Sequence, residues 1–275
     1  MKNPPYLRIT PFIFCLFLIC SCQSGGEDPK VATASMEIAP LPSLSGKKVL
    51  VVHGGWPGHK PALFAEVVSE LLRKEGAEVL LEDSVGIYAN EEVMSQMDLI
   101  IQSVTMDKIN KDQIKGLVKA VKAGAGFAGA HGGFCDSFRS NTEYQFMTGA
   151  QFVAHPGGKI EYTVNITGAK DAITTGLEDF KTMTEQYYMH VDPNVKVLAS
   201  TTFTGEHAEW IDGAVMPVVW KKYHGDGRIF CIALGHNPEE FHEKPAQDLL
   251  MNGLRWASGS KYQDKEEWLS PVVYQ

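Results

Sequence analysis

The sequence predicts an α/β domain on a mostly parallel sheet, with helices on both faces and added antiparallel strands in its second half. In the first half, apolar runs of strand length alternate with helical patterns, which is typical of right-handed crossovers and a parallel sheet. In the second half, polar and apolar residues alternate, which is typical of antiparallel strands. The chain has 275 residues, 44% of them hydrophobic, enough for one large domain or two small ones.

The first half is predicted to contain four strands and two helices. A helix begins near Pro61, which suits a first helical turn, and ends at Gly76, because apolar residues recur at helical spacing between them. A second helix covers about residues 112–123 and is ended by Gly124. The four strands are the apolar runs at residues 47–53, 78–82, 98–103 and 125–130.

The second half is predicted to contain four strands and one helix. A turn at Gly225-Asp226-Gly227 joins the last two strands as a hairpin. A helix over residues 246–257, with Leu249, Leu250 and Leu254 facing inward, completes the domain. The four strands cover residues 159–167, 195–202, 217–223 and 228–234.

The first 22 residues are predicted to be a lipoprotein signal peptide. An apolar run over residues 12–20 follows two basic residues and is too short to span a bilayer. It ends at Ile19-Cys20-Ser21-Cys22, which resembles a bacterial lipobox with Cys22 as the acylated first residue. An ordinary cleaved signal peptide is the alternative. We therefore expect an exported protein that a lipid anchor holds on the periplasmic or outer-surface side of a membrane.

The rest of the chain divides into three parts. Residues 23–45, rich in Ser, Gly, Pro and acidic residues, are predicted to be a flexible tether. Residues 46–258 form the domain, and residues 259–275 a surface tail. The net charge of −8, without a basic cluster, argues against a nucleic-acid partner. The two cysteines of the domain, Cys135 and Cys231, are expected to be small buried thiols, and a homo-oligomer is possible.

Three histidines follow predicted strands at the points where those strands end. His53 follows the first strand, His131 the fourth, and His236 the strand at residues 228–234, each with glycine nearby. Because ligands bind at the carboxyl edge of a parallel sheet, we expect the three to share one cleft. His131 stands in Gly129-Ala130-His131-Gly132-Gly133, here called the His131 turn. Its glycines are typical of the sharp strand-to-helix turn that presents a nucleophile in α/β enzymes.

The segment from Thr184 to His190 is a fourth candidate. If it is extended, Glu185 and Tyr187 share one face, and Gln186, Tyr188 and His190 share the other. A carboxylate and a phenol beside imidazoles suit proton transfer or hydroxyl recognition. An edge strand with a solvated Glu185 and a packed Tyr187 is the alternative.

Seven short motifs occur in an order that resembles the trehalose-utilisation (ThuA-like) family, a branch of the class I glutamine amidotransferase-like superfamily. They are His53-Gly54-Gly55 with His59, Gly129-Ala130-His131-Gly132-Gly133, Ile173-Thr174-Thr175-Gly176-Leu177, Glu185-Gln186-Tyr187-Tyr188, Pro217-Val218-Val219-Trp220, Gly227-Arg228-Ile229-Phe230 and Leu234-Gly235-His236. The resemblance covers about residues 47–258 and implies a flavodoxin-like fold and a role in sugar catabolism, often beside dehydrogenases that make 3-keto sugars. The amidotransferase relatives carry a cysteine where His131 stands, so thiol-based release of ammonia from glutamine is excluded here.

The resemblance implies an enzyme that acts on a carbohydrate or keto-sugar derivative by proton transfer. The outcome would be isomerisation, elimination or glycoside opening. His131 or Glu185 would remove the proton beside the carbonyl, and another histidine or Tyr187 would stabilise the enediolate. The predicted catalytic residues are His131, Glu185, His53, Tyr187 and His236, and the predicted substrate contacts are Gly54, Trp56, His59, Gly132 and His190.

Two other functions remain open. One is a non-catalytic lipoprotein that binds a carbohydrate, with Trp56 or Trp220 as a stacking wall. The other is a hydrolase in which His53, His131 and His236 bind Zn²⁺ and Glu185 is the base. No HExxH or HxH spacing supports the hydrolase. No cofactor is therefore predicted, although a divalent metal is possible.

Overall fold

The computed structural model describes residues 38–168 and 170–266. Their eleven strands are β1 (Lys48–Gly55), β2 (Glu78–Glu82), β3 (Leu99–Thr105), β4 (Gly126–Ala130), β5 (Ala150–Ala154), β6 (Lys159–Ile166), β7 (Phe180–Glu185), β8 (Tyr188–Val191), β9 (Lys196–Thr202), β10 (Val215–His224) and β11 (Gly227–Ile232). Their α-helices are α1 (Pro61–Lys74), α2 (Glu91–Gln96), α3 (Lys111–Lys122), α4 (Gly132–Cys135), α5 (Thr142–Thr148) and α6 (Lys244–Ser258). Short 3₁₀ turns lie at Pro57–His59, Val85–Ala89, Glu209–Ile211 and Pro238–His242.

Nine of these strands form one sheet, in the order β2-β1-β3-β4-β11-β10-β9-β6-β7. The first five in this order are parallel to one another. The strand β1 shows why the sheet is covered on both faces. Its Val49 and Val51 pack into a core shared with α1 and α6, and Leu50 and Val52 pack into a second core shared with α3. This arrangement confirms the predicted mostly parallel sheet with helices on both faces.

The remaining strands of the large sheet are antiparallel, as the second half of the sequence predicted. β10 and β11 form a hairpin in which His224 pairs with Gly227, so the turn consists of Gly225 and Asp226. β10 is irregular, because its register against β9 shifts twice between Pro217 and Trp220. β6 meets β9 through only two residue pairs, at Asn165 and Ile166.

The segment from Thr184 to His190 is not one extended strand. β7 ends at Glu185 and pairs with β6, whereas β8 begins at Tyr188 and pairs with β5 in a separate two-stranded sheet. The buried Gln186 lies between them, and its side-chain amide donates to Thr201 Oγ1 and to the Thr202 carbonyl. These bonds fix the point at which the chain leaves one sheet for the other.

The packed domain extends beyond both ends of the predicted range of residues 46–258. Leu44, inside the predicted tether, is fully buried in the core shared with α1. Beyond α6, the Arg228 guanidinium donates to Gln263 Oε1 and to the Asp264 carbonyl. The predicted signal peptide and Cys22 lie outside the described residues. Within residues 38–168 and 170–266, no helix has both the length and the apolar character that a membrane span requires.

Candidate functional site

The site lies where the parallel strands end, at the turn after β4. His131 has φ 48° and ψ −143°, a backbone conformation that is costly for any residue with a side chain. The surrounding structure holds it there, because its N–H donates to the Ile232 carbonyl at 2.8 Å and its carbonyl accepts from the Cys135 N–H at 2.8 Å. α4 begins at the next residue, Gly132. The chain therefore makes a strained strand-to-helix turn with a histidine at its apex.

The imidazole of His131 is held between two acceptors. Its Nδ1 lies 2.8 Å from the Ala233 carbonyl, and its Nε2 lies 3.0 Å from Glu185 Oε2. A peptide carbonyl only accepts, so Nδ1 carries a proton. Burial alone would raise the pKa of the Glu185 carboxyl, but the hydrogen bond with His131 and the surrounding imidazoles lower that pKa to about 2. Glu185 is therefore a carboxylate at neutral pH.

Three more imidazoles surround the same carboxylate. His59 Nε2 lies 3.9 Å from Glu185 Oε2, while His155 Nε2 and His236 Nδ1 lie 3.8 Å and 3.2 Å from Oε1. Burial, followed by the nearby His131, lowers the pKa of His59 to about 3, and burial also lowers the pKa of His236. These two rings are therefore neutral at neutral pH. We call His59, His131, His155, His236 and Glu185 the histidine–glutamate cluster.

Gly132 allows His59 to approach the His131 turn. A Cβ at Gly132 would lie 2.4 Å from two atoms of the His59 ring, so the ring can occupy its position only beside a glycine. The Nδ1 of His59 lies 3.2 Å from Thr105 Oγ1, which orients the ring with its Nε2 towards Glu185. The half-exposed Trp56 packs edge-on against His59, with the ring centroids 4.9 Å apart. Trp56 thus forms an accessible aromatic wall beside the cluster.

Tyr187 is the last side chain of the site. Its ring stacks on His131, with the centroids 4.2 Å apart. Burial raises the pKa of the Tyr187 phenol well above its usual range, so the hydroxyl keeps its proton. The hydroxyl oxygen would lie 3.2 Å from a Cβ at Gly132, which places it beside the His131 turn. Tyr187 therefore brings a neutral hydrogen-bond donor to the cluster.

The structure does not bring every predicted site residue to this cluster. Among the described residues, no hydrogen bond, ion pair or ring contact joins His53 or His190 to it, and His190 is exposed on β8. Gly54 lies at the end of β1, where a Cβ would meet the Asp83 carbonyl at 3.7 Å. Trp220, predicted as a stacking wall, is fully buried and donates its indole N–H to the Thr148 carbonyl, so it offers no surface to a sugar.

Sequence reasoning did not identify His155 as a site residue. Its side chain is 41% exposed, which makes it the most accessible imidazole of the cluster. A signal was present, because His155-Pro156-Gly157-Gly158 directly follows the short strand β5. The same combination of a strand end and nearby glycine had identified His53, His131 and His236. The missing step was the prediction of β5 itself.

Four members of the cluster could hold a metal ion. His59, His131, Glu185 and His236 each offer one ligand atom, and these atoms all lie within 4.8 Å of one another. We call them the four-donor set. It contains His59 where the sequence-based hydrolase alternative had His53. Imidazole and carboxylate are ligands that zinc and related ions prefer.

Comparison with known proteins gives matches at two levels. The family model described as "ThuA: Trehalose utilisation" matches residues 48–257. A ThuA-like protein from Bacteroides uniformis has a similar crystal structure, with a TM-score of 0.65, 19% identity, and coverage of 81% of this chain and 94% of that chain. One from Parabacteroides merdae has a TM-score of 0.64 and 17% identity, with coverage of 81% and 93%.

A cytoplasmic protein from Salmonella typhimurium is also similar, with a TM-score of 0.55, 13% identity, and coverage of 76% of this chain and 99% of that chain. A comparison of the sequence with curated proteins gave no match. At these identities the structural likeness establishes the fold alone.

Proposed function

The chain belongs to the ThuA, or trehalose-utilisation, family, and from this premise we propose that it is an enzyme that moves a proton on a carbohydrate or keto-sugar derivative. The observation that carries the proposal is one carboxylate, Glu185, with four imidazoles within 4 Å and a phenol beside them. Covalent catalysis by a thiol has less support, because Cys135 is buried with its Sγ against Cys231, at 3.5 Å. The side chains of the site therefore suit acid–base catalysis, in which groups of the protein exchange protons with the substrate.

A keto sugar is a substrate on which such acid and base groups can act. The hydrogen on the carbon next to the carbonyl is acidic, and a base that takes it leaves an enediolate with its charge on the former carbonyl oxygen. Return of the proton to the other carbon, with the neighbouring hydroxyl proton passing to the enediolate oxygen, gives an isomer. With the carbonyl at C3 and the proton lost from C2, the glycosidic oxygen on C1 can instead leave with its bonding electrons. That elimination opens the glycoside and involves no oxidation or reduction.

The geometry favours His155 as the base. His131 is 2% exposed and engaged at both ring nitrogens, so it positions Glu185 rather than meeting a substrate. Glu185, with a pKa near 2, is a weak base. His155 reaches solvent 3.8 Å from that carboxylate, which would stabilise the imidazolium formed when His155 takes a proton. This assignment replaces His131 and Glu185, the bases suggested by the sequence. In this proposal the Tyr187 hydroxyl, which keeps its proton, donates to the developing enediolate oxygen.

Incubation of the purified protein with a 3-keto-glucoside in deuterated water tests the proposal. Nuclear magnetic resonance follows the C2 hydrogen, with an enzyme-free sample as the blank. We expect deuterium uptake or elimination product, and a decrease of about 10²–10⁴-fold for His155→Gln, the usual contribution of a general base. His242→Gln, at an exposed histidine outside the cluster, is the matched control. Tight sugar binding without exchange would instead indicate a carbohydrate-binding protein.

The four-donor set favours one second candidate, a metal-dependent hydrolase. It predicts cleavage of the glycoside with no deuterium incorporated at carbon. The same spectra therefore separate hydrolysis from proton transfer on the sugar.

A further inference from the structure

We propose that the four-donor set, His59, His131, Glu185 and His236, binds one divalent first-row transition metal ion. The role of such an ion rests on the proposed function, whereas its binding does not and can be measured without substrate. The proposal follows from how closely the ring nitrogens and the carboxylate oxygens of these four side chains converge.

The contact between His131 and Glu185 lacks a proton when the imidazole is neutral. Nδ1 of His131 donates to the Ala233 carbonyl, so the Nε2 of the neutral ring carries only a lone pair. That lone pair faces a carboxylate oxygen 3.0 Å away. Two acceptors at this distance require a cation between or beside them, either a second proton on the imidazole or a metal ion. A histidine that ligates a metal through one nitrogen commonly donates from the other to a backbone carbonyl, which is the arrangement here.

A second proton on His131 would leave the other two histidines of the set unexplained. His236 Nδ1 is buried 3.2 Å from Glu185 Oε1, yet it has no hydrogen-bond partner among the described residues. His59 is oriented by Thr105 Oγ1 at its Nδ1, which leaves Nε2 directed at the same carboxylate, 3.9 Å away. The ring protons of the two neutral imidazoles satisfy neither contact, because His236 Nδ1 makes no hydrogen bond to any described residue and the 3.9 Å between His59 Nε2 and Glu185 is too long for one. One metal ion can serve all of them.

The donor types and spacing indicate the class of ion. Three imidazoles with one carboxylate suit zinc and its first-row neighbours, whereas magnesium and calcium prefer oxygen ligands throughout. Zinc holds such ligands at about 2.0–2.2 Å, so two ligands of one ion lie roughly 3.4 Å apart in a tetrahedron and roughly 4.2 Å apart when opposite. The donor atoms of the set lie within 4.8 Å of one another. A slight contraction of the side chains around an ion would therefore complete the site.

The position of this site suits the proposed reaction. An ion there would lie beside Glu185, while His155, outside the four-donor set, is 3.8 Å from the same carboxylate. A sugar carbonyl oxygen on the ion would be polarised as its neighbouring carbon loses a proton. The ion would then supply the electrophile and His155 the base, so the two functions would fall on different residues of one cluster.

Metal loading of the full chain tests the proposal. The protein is incubated with Zn²⁺ or Co²⁺, freed of excess ion by gel filtration and analysed for metal content. Visible absorption of Co²⁺ reports nitrogen ligation. We expect about one ion per chain. We also expect binding weaker by about 100-fold or more in Glu185→Gln, His236→Gln and His59→Gln, since losing even an outer partner costs about 10–100-fold.

His242→Gln is the matched control, because it removes an exposed histidine outside the set. Wild-type protein and this variant should melt at a higher temperature with Zn²⁺, whereas Glu185→Gln should not. His59→Gln, on a short surface turn, keeps the test valid if a buried variant fails to fold. The absence of retained metal, or equal retention by cluster variants and His242→Gln, would overturn the proposal. Metal binding without any reaction of keto sugars would instead count against the proposed function alone.

Discussion

Replacing Gly132 by alanine tests whether the exchange activity and the zinc affinity of the cluster depend on the position of His59. The new Cβ would lie 2.4 Å from the His59 ring, and ordinary contact begins at 3.4 Å, so the ring must withdraw by about 1 Å. His59 Nε2 is already 3.9 Å from Glu185 Oε2, and withdrawal from the turn disturbs that approach. A displacement of about 1 Å at an active site can cost about 10²-fold in rate, or about 2.7 kcal/mol of transition-state stabilisation.

The same substitution should leave the fold almost intact. Gly132 lies within α4, where alanine is favoured over glycine by up to about 1 kcal/mol. The atoms that the new methyl group meets belong to side chains, His59 and Tyr187, that can move aside. We therefore expect the free energy of unfolding of Gly132→Ala to lie within about 1 kcal/mol of the wild-type value. Its deuterium exchange on a keto sugar and its zinc affinity should both decrease about 10²-fold.

Gly168→Ala provides the matched control, since no atom lies within 4 Å of a Cβ at that exposed position. Melting temperature, exchange rate and zinc affinity are measured on the same preparations of both variants. Wild-type exchange and zinc binding in Gly132→Ala would refute the reasoning, because they would show that His59 has no role that depends on its position. A large drop in melting temperature would show that the turn, and not the cluster, requires glycine.

Three further predictions concern other parts of the chain. Asp171→Asn, which breaks a buried ion pair with Lys221 and Lys196, should lower the free energy of unfolding in urea by about 3 kcal/mol. Burial alone would raise the pKa of the Asp171 carboxyl, but the two lysines lower it below its usual value. The ion pair therefore stabilises the fold fully above about pH 4, and this stabilisation is lost as the pH falls through the folded-state pKa. The variant should lack this pH dependence. Cys135→Ser should keep most of the exchange activity on a keto sugar, because that residue is only 1% exposed. A loss of about 10³-fold in this activity would instead support a thiol mechanism. We also propose that Cys22 is acylated, so Cys22→Ala should move the protein from the membrane fraction to the soluble one, and continued retention would contradict the lipobox.

The regular part of the fold could be predicted because its central strands, such as β3 and β4, are buried on both faces, its helices carry one apolar face, and even the exposed edge strand β2 has an apolar centre. The strand at residues 78–82 and the helix beginning at Pro61 have the bounds that local patterns indicate. The short elements α2, α5, β5 and β8 could not be predicted in this way. α2 and α5 contain 6 and 7 residues, too few for a periodic pattern. β5 and β8 are partly exposed strands that are stabilised by pairing with each other.

The histidines of the site were easier to predict than their grouping. His131 and His236 follow strands that meet at one edge of the sheet, and the cluster contains both. His53 lies inside β1, two residues before the strand ends, and β1 is two positions from β4, roughly 10 Å away at the usual strand spacing. His59 lies on the turn after β1, and that turn carries its ring over Gly132. The end of a strand therefore predicts at which edge of the sheet a histidine lies, whereas the geometry of the following loop determines whether its side chain reaches the cluster.

The position of Glu185 is the feature that no local pattern contains. β7 lies five places from β4 in the sheet, so a flat sheet would separate their ends by roughly 24 Å. In the structure, His131 Nε2 and Glu185 Oε2 are 3.0 Å apart. The antiparallel half must therefore bend back over the parallel half. β10 has two register shifts against β9 between Pro217 and Trp220, and irregularities of this kind, β-bulges among them, bend a strand and increase its twist. The brief contact of β6 with β9, at Asn165 and Ile166, gives a second point at which the sheet can bend. We infer that these irregularities of the sheet bring the Glu185 carboxylate to the four imidazoles that surround it. Straightening β10 would therefore separate Glu185 from His131 without changing either residue.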